Sequence, residues 1–190
     1  MLLRTFIAVE APGEIVAQAA KLIGRLREAE ADVKWVEPEN MHFTLKFLGG
    51  VRDRDLGELC LALARATREL KPFEIEVRGA GAFPDAARPR TLWLGVGAGG
   101  EAFTELFDSL EERLADLGFR QEGRRFQPHL TLGRVRNSSP GSRELAQLLR
   151  EQADFEAGPM YVDEAVLFSS EPGREGPHYE VLSRGELLAR

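Results

Sequence analysis

Hydrophobic residues recur along the chain with two different periods, and these separate helices from strands. Four stretches carry apolar residues three or four positions apart, which is typical of amphipathic helices that bury one side. These helices are predicted over residues 13–31, 53–70, 101–117 and 142–152. Shorter runs, rich in β-branched and aromatic residues and bounded by Gly and Pro, predict strands. The strands are predicted over residues 5–9, 33–36, 42–48, 73–77, 91–96, 129–135, 165–169 and 179–182.

One tetrapeptide occurs twice in matching surroundings. The segment His42-Phe43-Thr44-Leu45 returns as His129-Leu130-Thr131-Leu132. Each copy lies on a predicted strand shortly after a proline, with a strand and a helix before it and a helix after it. Two copies of one strand–helix–strand–strand–helix unit predict two lobes related by a pseudo-two-fold axis. No Ser/Pro-rich linker separates them, so we expect residues 1–190 to form a single compact domain of two similar lobes.

The composition narrows the class of protein. The chain has 190 residues, of which 43% are hydrophobic and 29% charged, and this excludes a disordered chain. The only cysteine, Cys60, excludes an internal disulfide framework and a multi-cysteine metal site. No apolar run approaches the roughly 20 residues of a membrane helix. No signal peptide is evident, so we expect a cytoplasmic protein. No glycine-rich phosphate loop follows a strand, which excludes the dinucleotide-binding and P-loop classes.

Side chains alternate across a strand, so the first motif has a polar and an apolar face. His42, Thr44 and Lys46 share one face, and Lys46 is therefore expected to reach a ligand bound there. The intervening apolar residues and Phe47 share the other face, which predicts that Phe47 packs in the core.

The second motif repeats this arrangement, with His129 and Thr131 on one face. Imidazole exchanges protons near neutrality, so two histidines across one phosphorus atom supply a general acid and a general base. The threonine hydroxyls can donate hydrogen bonds to the non-bridging oxygens. Arg134 has the opposite parity to His129 and reaches the cleft only if the strand twists or ends.

Two other interpretations of the histidines stay open. Two histidines and a carboxylate can bind zinc or iron, although the motifs themselves contain no Asp or Glu. The third histidine, His178, has no repeated partner and is expected to lie in a surface turn.

The long flanks of the two motifs strongly resemble the two-histidine (2H) phosphoesterase superfamily. More narrowly, the chain is similar to the RNA 2′,3′-cyclic phosphodiesterases of bacteria and archaea, historically called 2′-5′ RNA ligases. The residues that carry this resemblance are RTFIA at 4–8, WVEPENMHFTLKFLG at 35–49 and FQPHLTLGR at 126–134. The match covers nearly the whole chain.

The resemblance implies a bilobal α+β fold, with two antiparallel sheets that face a central cleft and helices outside. It also implies that His42 is the proton donor to the leaving 3′-oxygen and that His129 is the proton acceptor that activates water. Thr44 and Thr131 would hold the phosphate, and the product would be a 2′-phosphate. The resemblance implies no metal and no other cofactor. Members of the family also join RNA ends weakly through a 2′-5′ linkage, which is the reverse reaction.

Five further residues are candidates for binding the substrate. The net charge is −6, yet segment 118–136 is rich in arginine, so a basic rim is expected to attract RNA ends. Aromatic rings can stack on unpaired bases. The candidates are Lys46, Arg125, Phe126, Arg134 and Tyr179.

The sequence leaves two other functions open. One is a phosphodiesterase of the same superfamily that acts on another nucleotide, such as a 2′-5′ oligoadenylate or an ADP-ribose cyclic phosphate. The other is a module that binds RNA ends without catalysis, although such a module would not need both histidines. For the enzyme, we expect RNA ends or small cyclic nucleotides as substrates, no membrane association and a monomer.

Overall fold

Strands and helices follow each other in the predicted order in the computed structural model, which describes residues 2–173 and 176–189. The helices are α1 (Gly13–Arg27), α2 (Leu56–Arg68), α3 (Gly100–Ala115) and α4 (Ser142–Glu151). The strands are β1 (Leu2–Glu10), β2 (Val33–Trp35), β3 (His42–Arg52), β4 (Phe73–Phe83), β5 (Thr91–Val96), β6 (His129–Val135), β7 (Glu156–Val162), β8 (Glu164–Pro172) and β9 (Pro177–Glu186). The predicted helices and strands are all present, and β7 is an additional strand.

The order of the strands shows the internal repeat. The strands run β7-β4-β5-β6-β3-β1-β8-β9, with β2 added beside β6, and every neighbouring pair is antiparallel. Reading outward from the middle, β3 and β1 of one half correspond to β6 and β5 of the other. The predicted α+β class is confirmed, and the two predicted antiparallel sheets are joined as the halves of one nine-stranded sheet in the described residues.

The two halves meet at the second residue of each motif. Phe43 of β3 pairs with Leu130 of β6, and it is the one residue pair recorded between these strands in the described chain. Hydrogen bonding therefore connects the halves into one sheet. Both side chains are fully buried, so the pseudo-two-fold axis passes through an apolar contact. The histidine before each of these residues and the threonine after it lie on the opposite face of the strand, away from the core.

The helices pack as two pairs that each combine one helix from either repeat. Helix α1 contacts α4, and α2 contacts α3. Their buried residues join Phe43, Leu45, Leu130 and Leu132 in one large apolar cluster. Helix α1 also has Glu14 in its first turn and Arg25 and Arg27 in its last, which suits the helix dipole. The helices therefore cover the apolar face of the sheet and leave the histidine face open.

Both motif strands contain a β-bulge at the same position. In the first half, Ala8 pairs with Thr44 but the preceding Ile7 pairs with Lys46, so Leu45 is an extra residue. A bulge reverses the face on which the side chains directly after it lie. As a result Lys46 turns into the core, where it is only 4% exposed, and Phe47 turns to the histidine face, where it is 66% exposed. The alternation predicted from the sequence placed both residues on the wrong face.

The second half has the equivalent bulge at Leu132. Leu92 pairs with Gly133 and Trp93 pairs with Thr131, which leaves Leu132 unpaired. Gly133 therefore takes the core-facing position that Lys46 has in the first half, and Arg134 takes the position of Phe47. A side chain at Gly133 would collide with Val33 of β2, because its Cβ would lie 2.8 Å from that residue. The bulge is the local distortion that Arg134 needed to reach the cleft.

Strand β7 carries only a weak sequence signal. It contains Gly158 and Pro159, which disfavour a central strand, and it lies at the edge of the sheet, where a proline is tolerated.

None of the helices in the described part of the chain has the length and apolar character needed to span a bilayer.

Candidate active site

The backbone fixes the imidazole of His42 at the start of β3. Its Nδ1 atom lies 2.8 Å from the carbonyl oxygen of Asn40. A carbonyl oxygen can only accept, so Nδ1 carries a hydrogen and donates it. Nε2 is then the nitrogen that can take up or release a proton. Thr44, two residues further on, lies on the same side of the strand.

His129 is held in the same way at the start of β6. Its Nδ1 donates to the carbonyl oxygen of Gln127 at 2.7 Å, which again leaves Nε2 to exchange the proton. Both rings are therefore fixed through the residue two positions earlier in the chain. The two halves therefore share the tautomer of the histidine as well as the tetrapeptide.

A cavity of about 560 Å³ lies on the histidine face and contains groups from both halves. Its wall includes His42 and Thr44 from β3, and Thr131 and Arg134 from β6. His129 itself is not among the described residues of this wall. It is nevertheless close enough to His42 that its charge lowers the pKa of that imidazole. The two motifs thus face a common space.

The surroundings of the two imidazoles differ in charge. Burial lowers the pKa of His42, while the Asn40 carbonyl and the carboxylate of Glu10 oppose this, and His129 adds to the lowering. Burial also lowers the pKa of His129, where the Gln127 carbonyl opposes it and the guanidinium of Arg134 adds to it. A carboxylate therefore favours the charged form of His42, and a guanidinium disfavours the charged form of His129.

Aromatic rings enclose His42 more fully than His129. The His42 ring lies 4.9 Å from the ring of Phe6 and 5.4 Å, edge to face, from that of Tyr179, measured between centroids. His129 has Phe83 at 4.9 Å, also edge to face. Burial raises the pKa of Tyr179 and the guanidinium of Arg134 opposes this, and both residues line the cavity.

Two of the five predicted substrate-binding residues lie in the cavity wall. They are Arg134 and Tyr179. Arg134 is held from β5, because its Nη1 donates to Thr91 Oγ1 at 3.2 Å.

The other three predicted substrate-binding residues lie elsewhere. Lys46 forms a buried ion pair with Glu111 and donates to the carbonyl oxygen of Arg120 at 2.6 Å. Phe126 stacks on Phe107 with ring centroids 4.3 Å apart, and it packs against the core. Arg125 is exposed and is not among the residues of the cavity wall. Lys46 and Phe126 therefore lie away from the cavity in this structure, contrary to expectation, and Arg125 lies outside its wall.

The wall residues that sequence reasoning misses include Phe47 and Asn40. The pattern assigns Phe47 to the core because a bulge leaves no mark on the alternation. Asn40 fixes His42 through its carbonyl, and its Nδ2 donates to the carbonyl oxygen of Pro177 at 3.1 Å. It thereby ties β9, and with it Tyr179, to the first motif. Within residues 2–173 and 176–189, no group of three or more His, Cys, Asp or Glu side chains is placed to hold a metal ion.

A family model described as LigT like Phosphoesterase matches the chain twice, at residues 9–93 and 94–179. The boundary between the two matches falls between the two motifs, so each match contains one of them. The family relationship thus reproduces the internal repeat found in the sequence and the sheet.

Curated relatives resemble the chain over nearly its whole length. An RNA 2′,3′-cyclic phosphodiesterase of Methanothermobacter thermautotrophicus is 41% identical over 94% of this chain and 96% of its own. A protein of the same name from Aeropyrum pernix is 38% identical over 88% of this chain and 94% of its own.

Solved structures share the fold. The protein TT0787 of Thermus thermophilus superimposes with a TM-score of 0.82 at 27% identity, covering 98% of both chains. E. coli LigT complexed with 3′-AMP superimposes with a TM-score of 0.79 at 27% identity, covering 100% of both chains.

Proposed function

The chain belongs to the LigT-like phosphoesterase family, and we propose that it hydrolyses the 2′,3′-cyclic phosphate at RNA ends to a 2′-phosphate. One observation carries the proposal: the Phe43–Leu130 pair sets the two motifs about a pseudo-two-fold axis, and His42, Thr44 and Thr131 line one cavity. Displacement at phosphorus needs proton transfer on opposite sides of the phosphorus atom. Two motifs related by such an axis supply it.

The proposed reaction has one chemical step. Nε2 of His129 takes a proton from water as the water oxygen bonds to phosphorus. The bond from phosphorus to the ribose 3′-oxygen breaks, and that oxygen takes the proton from Nε2 of His42. The product is a 2′-phosphomonoester, and exchange with solvent restores both imidazoles. General acid and base groups of this kind contribute about 10²–10⁴-fold each.

Two features support His42 as the acid and His129 as the base. Glu10 favours the imidazolium form at His42, whereas Arg134 disfavours it at His129. In addition, most of the cavity wall comes from the half that contains His42. A nucleoside occupying this larger side places its leaving 3′-oxygen next to His42, and the smaller side beside His129 is left for water.

The proposed phosphate contacts come from both halves. The hydroxyls of Thr44 and Thr131 donate to the non-bridging oxygens, and the guanidinium of Arg134 adds a charged donor. Tyr179 and Phe47 offer aromatic surface to the nucleoside on the larger side of the cavity. The substrate is thus held symmetrically at its phosphorus and asymmetrically at its base.

The proposed substrate and the composition also bear on the cellular compartment and the oligomeric state. RNA ends with cyclic phosphates arise where RNA is cleaved inside cells, and a chain with one cysteine suits a reducing compartment. We place the enzyme in the cytoplasm as a monomer, because one chain supplies both motifs.

The decisive experiment uses a short RNA ending in a 2′,3′-cyclic phosphate, with EDTA present and in ¹⁸O-labelled water. We expect a 2′-phosphate carrying one ¹⁸O atom, detected by ³¹P NMR and mass spectrometry. A 3′-phosphate product, or no turnover, would overturn the proposal.

Because burial lowers both histidine pKa values, we expect the bell-shaped rate profile to lie at lower pH than two free imidazoles would give.

A further inference from the structure

The residue opposite the histidine differs between the two halves of the site. In the register of β1 and β3, Glu10 is directly opposite His42. At the equivalent position of β5 and β6, Gly95 is directly opposite His129. Directly opposed residues of an antiparallel pair direct their side chains to the same face, with Cβ atoms about 4.5–5.5 Å apart. Of the two described positions directly opposite the histidines, the one facing His42 therefore carries a carboxylate and the one facing His129 has no side chain.

A guanidinium of β9 holds the carboxylate of Glu10 in place. Arg184 of β9 donates from Nη1 to Glu10 Oε2 at 2.8 Å, and the same guanidinium pairs with Glu164 of β8. Two carboxylates around one guanidinium leave a net charge of −1. The Glu10 side chain is 47% exposed, and such a long side chain would be free to move away from the site without this partner.

We propose that Glu10, fixed by Arg184, is a positioning residue that keeps the proton on His42 and so makes His42 the acid of the pair. The inference rests on the proposed function, since it assigns the direction of that reaction. The two H-x-T-L motifs are chemically alike, and a residue outside both of them distinguishes their roles.

Among the described residues, Glu10 is the carboxylate whose charge acts on the pKa of His42, although Glu37 and the cations Arg4 and Lys34 also line the cavity. The ring faces His129 from β6, the phenol of Tyr179 from β9, and Phe6 from β1. Arg134 lies across the cavity and is positive. Burial and His129 lower the pKa of His42, and Glu10 and the Asn40 carbonyl oppose them. The carbonyl effect is duplicated at His129 by Gln127, so Glu10 is the opposing group without a counterpart.

The test compares two substitutions that each remove one carboxylate from Arg184. Glu10→Gln removes the charge opposite His42, and Glu164→Gln is the matched control one strand further away. The imidazole signals are followed by NMR during a pH titration. The chain has only three histidines, so variants of each assign the signals, and His178 serves as the internal reference.

In Glu10→Gln, the midpoint of the His42 titration is expected to move to lower pH, while that of His129 stays within error. The kcat/KM profile is expected to lose activity on its basic limb, where His42 gives up its proton, and to keep its acidic limb. Glu164→Gln is expected to leave the basic limb in place. Glu10→Asp is expected to restore part of the shift, because it returns the charge on a shorter side chain.

An unchanged His42 titration in Glu10→Gln would overturn the inference, as would an equal shift in Glu164→Gln or a shift of both limbs. These outcomes are distinct from a failure of the proposed function. The NMR titration needs no substrate, so it reports on Glu10 and His42 even if the cyclic phosphate is not turned over.

Discussion

The half of the site around His42 and the half around His129 have the same backbone but different surroundings. Both have a histidine bonded to the carbonyl two residues earlier, a threonine two residues later, and a bulge directly after that threonine. They differ at the residue opposite the histidine, where one has Glu10 and the other Gly95, and at the first cleft-facing residue after the bulge, where one has Phe47 and the other Arg134.

This difference shows how a duplicated fold performs a reaction with a direction. Attack and departure at phosphorus are nearly mirror events, and a repeated motif serves both. The proposed reaction is not symmetric, because a nucleoside lies on one side of the phosphorus and the attacking water on the other. The positions outside the motifs carry this asymmetry, with aromatic surface and a carboxylate near His42 and a guanidinium near His129.

The largest expected effect comes from removing either imidazole. His42→Ala and His129→Ala should each lower kcat on a 2′,3′-cyclic phosphate by about 10²–10⁴-fold, because each loses one proton transfer. Steady-state kinetics on the two variants and the double variant measure this, with circular dichroism as the control for folding. The double variant should lose little more than the worse single one, since the two groups act together. A single variant with near-normal kcat would break the equivalence of the two halves.

Substitution of Lys46, whose equivalent in the other half is Gly133, is expected to change stability and not catalysis. Lys46 and Glu111 form an ion pair with side chains 4% and 8% exposed, so Lys46→Met leaves a buried charge without its partner. We expect the free energy of unfolding to fall by about 3–5 kcal/mol, measured by urea denaturation.

The double variant Lys46→Met/Glu111→Leu is the matched control, and it should recover most of this loss. Below the unfolding transition, KM should stay near that of the unchanged chain. A large rise in KM would instead place Lys46 in contact with substrate, as the sequence alone predicts.

The threonines are expected to be equivalent, with a smaller effect than the histidines. Thr44→Val and Thr131→Val each remove one donor to the phosphate and keep the shape of the side chain. Each should lower kcat/KM by about 10²-fold, close to the effect of removing one donor from an oxyanion site. Thr→Ser at either position keeps the hydroxyl and serves as the control. An unchanged kcat/KM in one of the two valine variants would show that the phosphate is held from one side only.

The smallest effects are expected where the halves have unlike cleft residues. Arg134→Gln should raise KM by about ten-fold through loss of a charged donor, and it should move the acidic limb of the pH profile to higher pH. The limb moves because the guanidinium lowers the pKa of His129, so its removal lets the base hold its proton to higher pH. Arg125→Gln is the control, and it should leave both values unchanged because Arg125 lies outside the cavity wall.

The sequence predicts the elements and the strands that carry the two H-x-T-L motifs well, and it fails where a local distortion decides the outcome. The strand boundaries at 91–96 and 129–135 are confirmed as predicted, because flanking turns define them. Lys46, Phe47 and Arg134 depend on bulges at Leu45 and Leu132, and an extra residue in a strand leaves no trace in an apolar pattern.

The prediction for Phe126 fails for a different reason. Its ring packs between α3 residues that are distant in sequence, and no local pattern indicates that contact. Glu10 likewise has no signal in the sequence, since its place opposite His42 follows from the register of two strands.

The most direct test of the acid and base roles is a change of leaving group. A 3′-deoxynucleoside 2′-(4-nitrophenyl phosphate) loses nitrophenolate, a weak base that departs without a proton, whereas the cyclic phosphate loses a ribose oxygen that needs one. On the nitrophenyl substrate, His42→Ala should come within about ten-fold of the unchanged enzyme, while His129→Ala should keep its loss of about 10²-fold or more. Equal losses in both variants, or rescue of His129→Ala instead, would contradict the account.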